Sequence, residues 1–126
     1  MRIATLNHNG NQILGVRQGN NYVDLSKAAA NLPQDMTALL AADALGKANG
    51  AAQSATDDAL IPADGVTYLP LVTNPPKILC CGLNYRDHAE ETGNAIPDYP
   101  IIFMRAPTTM AAHNGPMILP KAASDY

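Results

Sequence analysis

Lys77-Ile78-Leu79-Cys80-Cys81-Gly82-Leu83-Asn84-Tyr85-Arg86-Asp87-His88-Ala89-Glu90-Glu91 joins an apolar run directly to a cluster of ionisable side chains. The continuous apolar character of residues 77 to 83 predicts a buried strand, and Gly82 would permit close backbone approach at its end. Tyr85 to Thr92 then reads as a short helix stopped by Gly93. On a helix, His88 and Glu91 stand three residues apart and share a face, so the carboxylate can accept a hydrogen bond from the imidazole. Such a partner raises imidazole basicity and fixes its tautomer, which makes His88 a candidate general base. Two other readings of the same residues stay open. His88 can be a solvated residue on a mixed-charge helix, with Glu91 paired to Arg86. Alternatively Asp87, His88 and Glu91 could contribute to a metal site, although neighbouring side chains on a helix diverge and Asp87 joins the other two poorly.

Downstream, Ala95 to Pro100 reads as a proline-bounded loop, Ile101 to Arg105 as a second buried strand, and Pro116 to Leu119 as a third short one. Arg105 closes an apolar strand, where its planar fork suits a substrate carboxylate or simply reaches solvent. His113 lies in a turn. Thr108 and Thr109 offer hydroxyls to a ligand or cap the strand end. The two cysteines, Cys80 and Cys81, are adjacent and point to opposite faces of a strand, so they read as reduced, buried small hydrophobes of a cytoplasmic protein.

Upstream, Asn74-Pro75-Pro76 is the clearest linker and predicts two domains, 1–73 and 74–126. The first begins as a β-meander over residues 2 to 25, with Asn9-Gly10 between strand-like runs as a hairpin signal. Ser26 is an expected N-cap for a short Ala-rich turn, and Asp35 for a helix in which Met36, Leu39 and Leu40 share a face. Residues 46 to 59 are Ala-rich and weakly periodic, a helix or a surface excursion. Ile61-Pro62 and Val66 to Pro70 read as edge segments, because proline cannot donate to a central ladder. The expected class is α+β.

Composition agrees with a globular chain: 47% of its 126 residues are hydrophobic and only 15% charged. A formal net charge of −3, with Arg2, Arg17, Arg86 and Arg105 scattered, leaves no basic stripe for nucleic acid and no patch for a membrane surface. No apolar run approaches the length of a membrane span, and residues 1 to 8 lack the apolar core of a signal peptide.

The block from Lys77 to Glu91, followed by Pro100-Ile101-Ile102-Phe103-Met104-Arg105-Ala106-Pro107-Thr108-Thr109 and by Gly115 to Pro120, resembles the opening of the fumarylacetoacetate hydrolase family's catalytic domain. Residues 1 to 70 resemble the small N-terminal domain of many bacterial members. The resemblance implies a β-rich catalytic fold of which this chain holds the first strands, and a cytoplasmic, usually homodimeric enzyme acting on 2-oxo acids. It implies Mg²⁺ or Mn²⁺ as cofactor and acylpyruvate-type C–C hydrolysis, with isomerase and decarboxylase members in the same family. His88 and Glu91 match the family's catalytic dyad on a lid helix, with His88 activating water. Gly82, Tyr85, Arg86 and Arg105 match substrate-binding positions, although members commonly carry Lys where this chain has Arg105. The family's acidic metal cluster follows an Asp-Tyr-type segment, so the ligands are expected beyond Ser124-Asp125-Tyr126 and none within the chain. On this reading the 126 residues alone have little activity. The alternative is a non-catalytic module serving folding or association.

Overall fold

The first three strands arise where the sequence punctuates itself with tight turns. In the computed structural model, which describes residues 1–122, β1 (Ile3–His8), β2 (Asn11–Gln18) and β3 (Asn21–Asp24) form consecutive antiparallel hairpins. Asn9 and Gly10 join β1 to β2 with φ of 52° and 81°, the left-handed pair that a two-residue hairpin requires. Asn7 Oδ1 accepts from the Gly10 amide at 3.1 Å and fixes the turn.

Two proline-marked segments complete the sheet. Its order is β4-β3-β2-β1-β5, with β4 (Leu60–Pro62) and β5 (Thr67–Tyr68) at the two edges, as the prolines demanded. Period-2 alternation sends Leu14, Val16 and Val23 to one face and Leu6, Ile13, Tyr22 and Ile61 to the other. The first face carries the larger core, covered by α1 (Leu25–Ala28), α2 (Met36–Ala41) and α3 (Leu45–Gln53). In α3 the buried Ala48 and Ala52 stand one turn apart, and their small side chains let the helix approach β2 and α1 closely. Residues 46–59 thus resolve into a helix and a following 3₁₀ turn. The architecture is α+β.

Capping departs from expectation at one helix and follows it at another. Asp24, not Ser26, caps α1: its carboxylate accepts from the Ser26 amide at 2.8 Å and the Ser26 hydroxyl at 2.6 Å. An ionised carboxylate at the last residue of β3 is a stronger acceptor than a hydroxyl already inside the first turn. Asp35 caps α2, accepting from Ala38 N at 3.0 Å. Met36 and Leu39 are buried there, whereas Leu40 is about half exposed, since a six-residue helix buries only a narrow stripe.

The contacts divide the polypeptide into two compact units, Met1–Thr73 with the described residues from Ala111 on, and Asn74–Met110. The linker at Asn74-Pro75-Pro76 predicts a second domain from 74 to 126, but residues 111–122 cluster with the first unit, where the His113 ring meets Tyr68 edge-to-face at 5.1 Å. The second unit holds β6 (Ile78–Gly82), α4 (Arg86–Glu91) and β7 (Ile101–Arg105), the strands paired antiparallel with Leu79 opposite Met104 and Cys81 opposite Ile102.

Neither of these strands is buried. Leu79, Ile102 and Met104 are 62%, 60% and 72% exposed, and every residue of β7 lies on the surface. A two-stranded ladder has no opposing layer within its own unit, so apolar character fixed the strands without fixing their burial. The cysteines follow: Cys80 is half-buried and Cys81 exposed. Pro116 to Leu119 forms no strand, having no ladder partner, and Met117 and Ile118 are almost fully exposed. Ser124-Asp125-Tyr126, after which the acidic metal cluster is expected, lie outside the described residues.

Candidate active site

The site is built on the turn that carries β6 into α4. Gly82 ends the strand, and Leu83 takes φ of 47°, a left-handed conformation uncommon for a branched apolar residue. This bend re-aims the chain within three residues, so that Arg86 begins a helix immediately beyond the sheet. A Cβ at Gly82 would meet Ile101 at 3.4 Å and beyond, ordinary contact, so packing within the unit does not itself demand glycine there.

α4 is short and ends sharply. Gly93 adopts φ of 67°, Asn94 N donates to Ala89 O at 2.8 Å and Gly93 N to Glu90 O at 3.1 Å, the paired bonds of a Schellman stop. Thr92 Oγ1 adds a bond to His88 O at 2.7 Å. The helix buries Ala89 and presents Asp87, His88, Glu90 and Glu91 to solvent. His88 and Glu91 therefore share a face one turn apart, as the spacing predicts. Among the described residues no hydrogen bond joins them, and Glu91 makes no ion pair with Arg86. Asp87 turns its carboxylate to its own helix, accepting from His88 N at 2.9 Å.

A cleft of about 380 Å³ opens beside this turn. Gly82 and Arg86 line it, together with Cys81, Asn84, Asp98 and Tyr99. The cleft thus gathers two of the expected site residues. Tyr85, His88, Glu91 and Arg105 are not among its walls; Tyr85 is 70% exposed before α4 and Arg105 ends the exposed β7 opposite Ile78. Asn84, Asp98 and Tyr99 are lining residues beyond the expected site. For Asp98 and Tyr99 the one sequence signal is the pair of prolines, Pro97 and Pro100, that rigidify the loop carrying them.

Other side chains singled out in the sequence have structural duties. The Thr109 hydroxyl, at the end of a 3₁₀ turn, donates back to Ala106 O at 2.7 Å. Among the described residues no three of His, Cys, Asp and Glu come together as a metal-holding group. No helix among them is long and apolar enough to cross a membrane.

Residues 77–126 match the family described as fumarylacetoacetate (FAA) hydrolase C-terminal. The mitochondrial oxaloacetate tautomerase Fahd2a of Rattus norvegicus is 33% identical over 107 residues, covering 85% of this chain and 34% of that protein. An uncharacterised protein of Archaeoglobus fulgidus is 44% identical over 68 residues, 52% of this chain and 27% of its own. Among solved structures, a Mycobacterium smegmatis protein provisionally designated HpcE aligns with a TM-score of 0.57 at 25% identity, over 86% of this chain and 37% of that one. The chain spans about a third of the length of the curated relatives it matches.

Proposed function

Because the chain belongs to the fumarylacetoacetate hydrolase family through residues 77–126, we propose that it supplies the proton-transfer part of an enzyme site for 2-oxo acids. The observation that carries this reading is the placement of His88 and Glu91 on one solvent-facing side of α4, directly beyond the turn whose Gly82 and Arg86 line a cleft. A neutral imidazole there can take a proton from the substrate or from water, and Glu91, one turn on, can stabilise the imidazolium that results. Because both side chains are exposed and unbonded to each other, the pair is free to close when a ligand arrives.

Two reactions need that proton transfer. In enol–keto interconversion, His88 accepts the enol hydroxyl proton and a proton returns to C3, with no net consumption. In hydrolysis of an acylpyruvate, His88 accepts a proton from water and the hydroxide adds to the distal carbonyl. The C–C bond then breaks to give a carboxylic acid and a pyruvate enolate, which is protonated at carbon. Relatives named oxaloacetate tautomerases favour the first reaction as the one to assay first. A divalent cation, where the whole protein binds one, would be held by groups other than those described, and a homodimer is the expected assembly.

The test is carried out in the whole protein that contains this chain. His88→Gln should lower turnover by about 10²–10⁴-fold, the usual contribution of a positioned general base. Affinity for a non-reactive 2-oxo acid analogue such as oxalate should change little. Unaltered turnover in His88→Gln would sink the proposal. The 126 residues assayed alone should turn over neither oxaloacetate enol nor acetylpyruvate.

A further inference from the structure

The first unit carries a cleft of its own, of about 450 Å³, lined by His8, Asn11, Ile13, Asp24, Ser26 and Lys27 among others. The sheet brings these residues together. His8 pairs with Asn11 across the first hairpin and Gly15 with Asp24 across the second. Period-2 alternation therefore puts His8, Asn11, Ile13 and Asp24 on the face away from the larger core. Leu25 turns into that core, which leaves Ser26 and Lys27 exposed at the rim.

Two opposite charges reach this cleft without meeting. Asp24 is only 5% exposed, and its Oδ1 takes both bonds from Ser26, the amide at 2.8 Å and the hydroxyl at 2.6 Å. Those bonds fix the carboxylate, while Oδ2 makes no hydrogen bond among the described residues. Lys27 Nζ donates to Asp58 O at 2.9 Å, which occupies one of its three N–H groups and leaves two. Among the described residues no ion pair joins Lys27 to Asp24, although they stand three positions apart. A largely buried carboxylate gains more from a cationic donor than an exposed one does. The same wall holds a second unmet hydrogen bond, because His8 Nδ1 is buried with no partner among the described residues.

We propose that this cleft binds a small free amino acid as its zwitterion. The α-ammonium sits on Asp24, the α-carboxylate on Lys27 and the Asn11 amide, and a short apolar side chain on Ile13. Asp24 and Lys27 are each tied to other groups of the fold, so a ligand carrying both charges satisfies both where they stand. A second anionic group would meet Asp24 and a second cationic group Lys27. With His8 neutral the cleft has no net charge, and it favours a ligand that has none either. The site lies within residues 8 to 27 and is independent of the role given to His88.

Heteronuclear NMR titration of the full chain tests this with three probes: alanine, alaninamide, which lacks the carboxylate, and N-acetylalanine, which lacks the ammonium. Alanine should shift the Ser26 and Lys27 amides and the His8 ring saturably, and should bind more tightly than either relative. Asp24→Asn keeps an oxygen to cap α1 but removes the charge. It should weaken alanine by about ten-fold or more, the worth of a charge-assisted hydrogen bond. Lys27→Gln, at an exposed position, should weaken alanine by about two- to five-fold and erase the preference over alaninamide. An unchanged circular dichroism spectrum confirms folding in each variant. Absence of saturable shifts in the wild type, or an alanine affinity indifferent to Asp24→Asn, overturns the site. Alaninamide binding as tightly as alanine overturns the zwitterion in favour of an ammonium group alone, such as a peptide's amino terminus. A preference over alaninamide that survives Lys27→Gln overturns the role of Lys27 and the zwitterion with it.

Discussion

Replacing Gly15 by alanine should destabilise the first unit by about 1–2 kcal/mol, although alanine is the better strand residue. Gly15 sits in β2 at the centre of the sheet, paired with Ala4 on one side and Asp24 on the other. Its φ is not left-handed, so the backbone accepts alanine and the loss of unfolded-state freedom favours the variant by about 0.5–1 kcal/mol. Space decides against it. An added Cβ would lie 2.6 Å from Leu6 Cδ1 and 3.0 Å from Tyr22 Cδ1. Leu6 is wholly buried and packed with Ile13, Tyr22 and Ile61. Tyr22 is also held, by its hydroxyl 3.1 Å from the Tyr68 hydroxyl and by the Arg17 guanidinium 5.1 Å above its ring. Overpacking of this kind costs about 1–3 kcal/mol, which outweighs the entropic gain. Urea unfolding followed by circular dichroism and by tyrosine emission, undisturbed in a chain without tryptophan, should show a midpoint lower by roughly 0.5–1 M. Because the clash is with Cδ1, Leu6→Val should relieve it, and the double variant should lose less than the sum of the singles. A midpoint that holds or rises in Gly15→Ala, or strict additivity with Leu6→Val, would refute the packing argument.

Asp24→Ala should lower stability by about 1 kcal/mol in the same unfolding assay, since it removes the α1 cap and leaves the Ser26 amide and hydroxyl without their acceptor; a change below a few tenths would show the cap to be idle. Met104→Lys, placed on the face that Leu79, Cys81 and Ile102 also expose, should reduce concentration-dependent self-association in sedimentation, and an unchanged distribution would exonerate that face. The Tyr22 hydroxyl, with burial adding to it, holds the Tyr68 phenol above its ordinary value near 10. The neutral phenol is thus the form the fold favours, so its contribution is complete below pH 10 and is lost as pH rises through the elevated folded value. Tyr22→Phe should bring the Tyr68 titration down, read from tyrosinate absorbance, and an unmoved titration would contradict the hydroxyl pair.

Local chemistry carried much of the fold on its own. Asn9-Gly10 can form little but a two-residue hairpin, because both positions accept positive φ, and Pro62 and Pro70 bar their segments from the centre of a ladder. Gly93 stopped α4 for the same steric reason that the sequence announced, and the three-residue interval alone put His88 and Glu91 on one face. What the sequence could not settle was burial and convergence. Ile78 to Gly82 and Ile101 to Arg105 are apolar enough for a core, yet whether a strand is buried depends on the layer facing it, which no residue of the strand encodes. Ser26 is the cap its position suggests, yet β3 ends at Asp24 and aims that carboxylate into the first turn. Asp98 lies 12 positions after Arg86 in the sequence, and nothing in either neighbourhood indicates that they share a cleft. The turns, the helix stop and the His88–Glu91 spacing are legible in the primary structure, because each is set by contacts within a few residues. Which apolar strands stay exposed and which side chains line one cleft emerge with folding, because they depend on how the chain brings separated segments together.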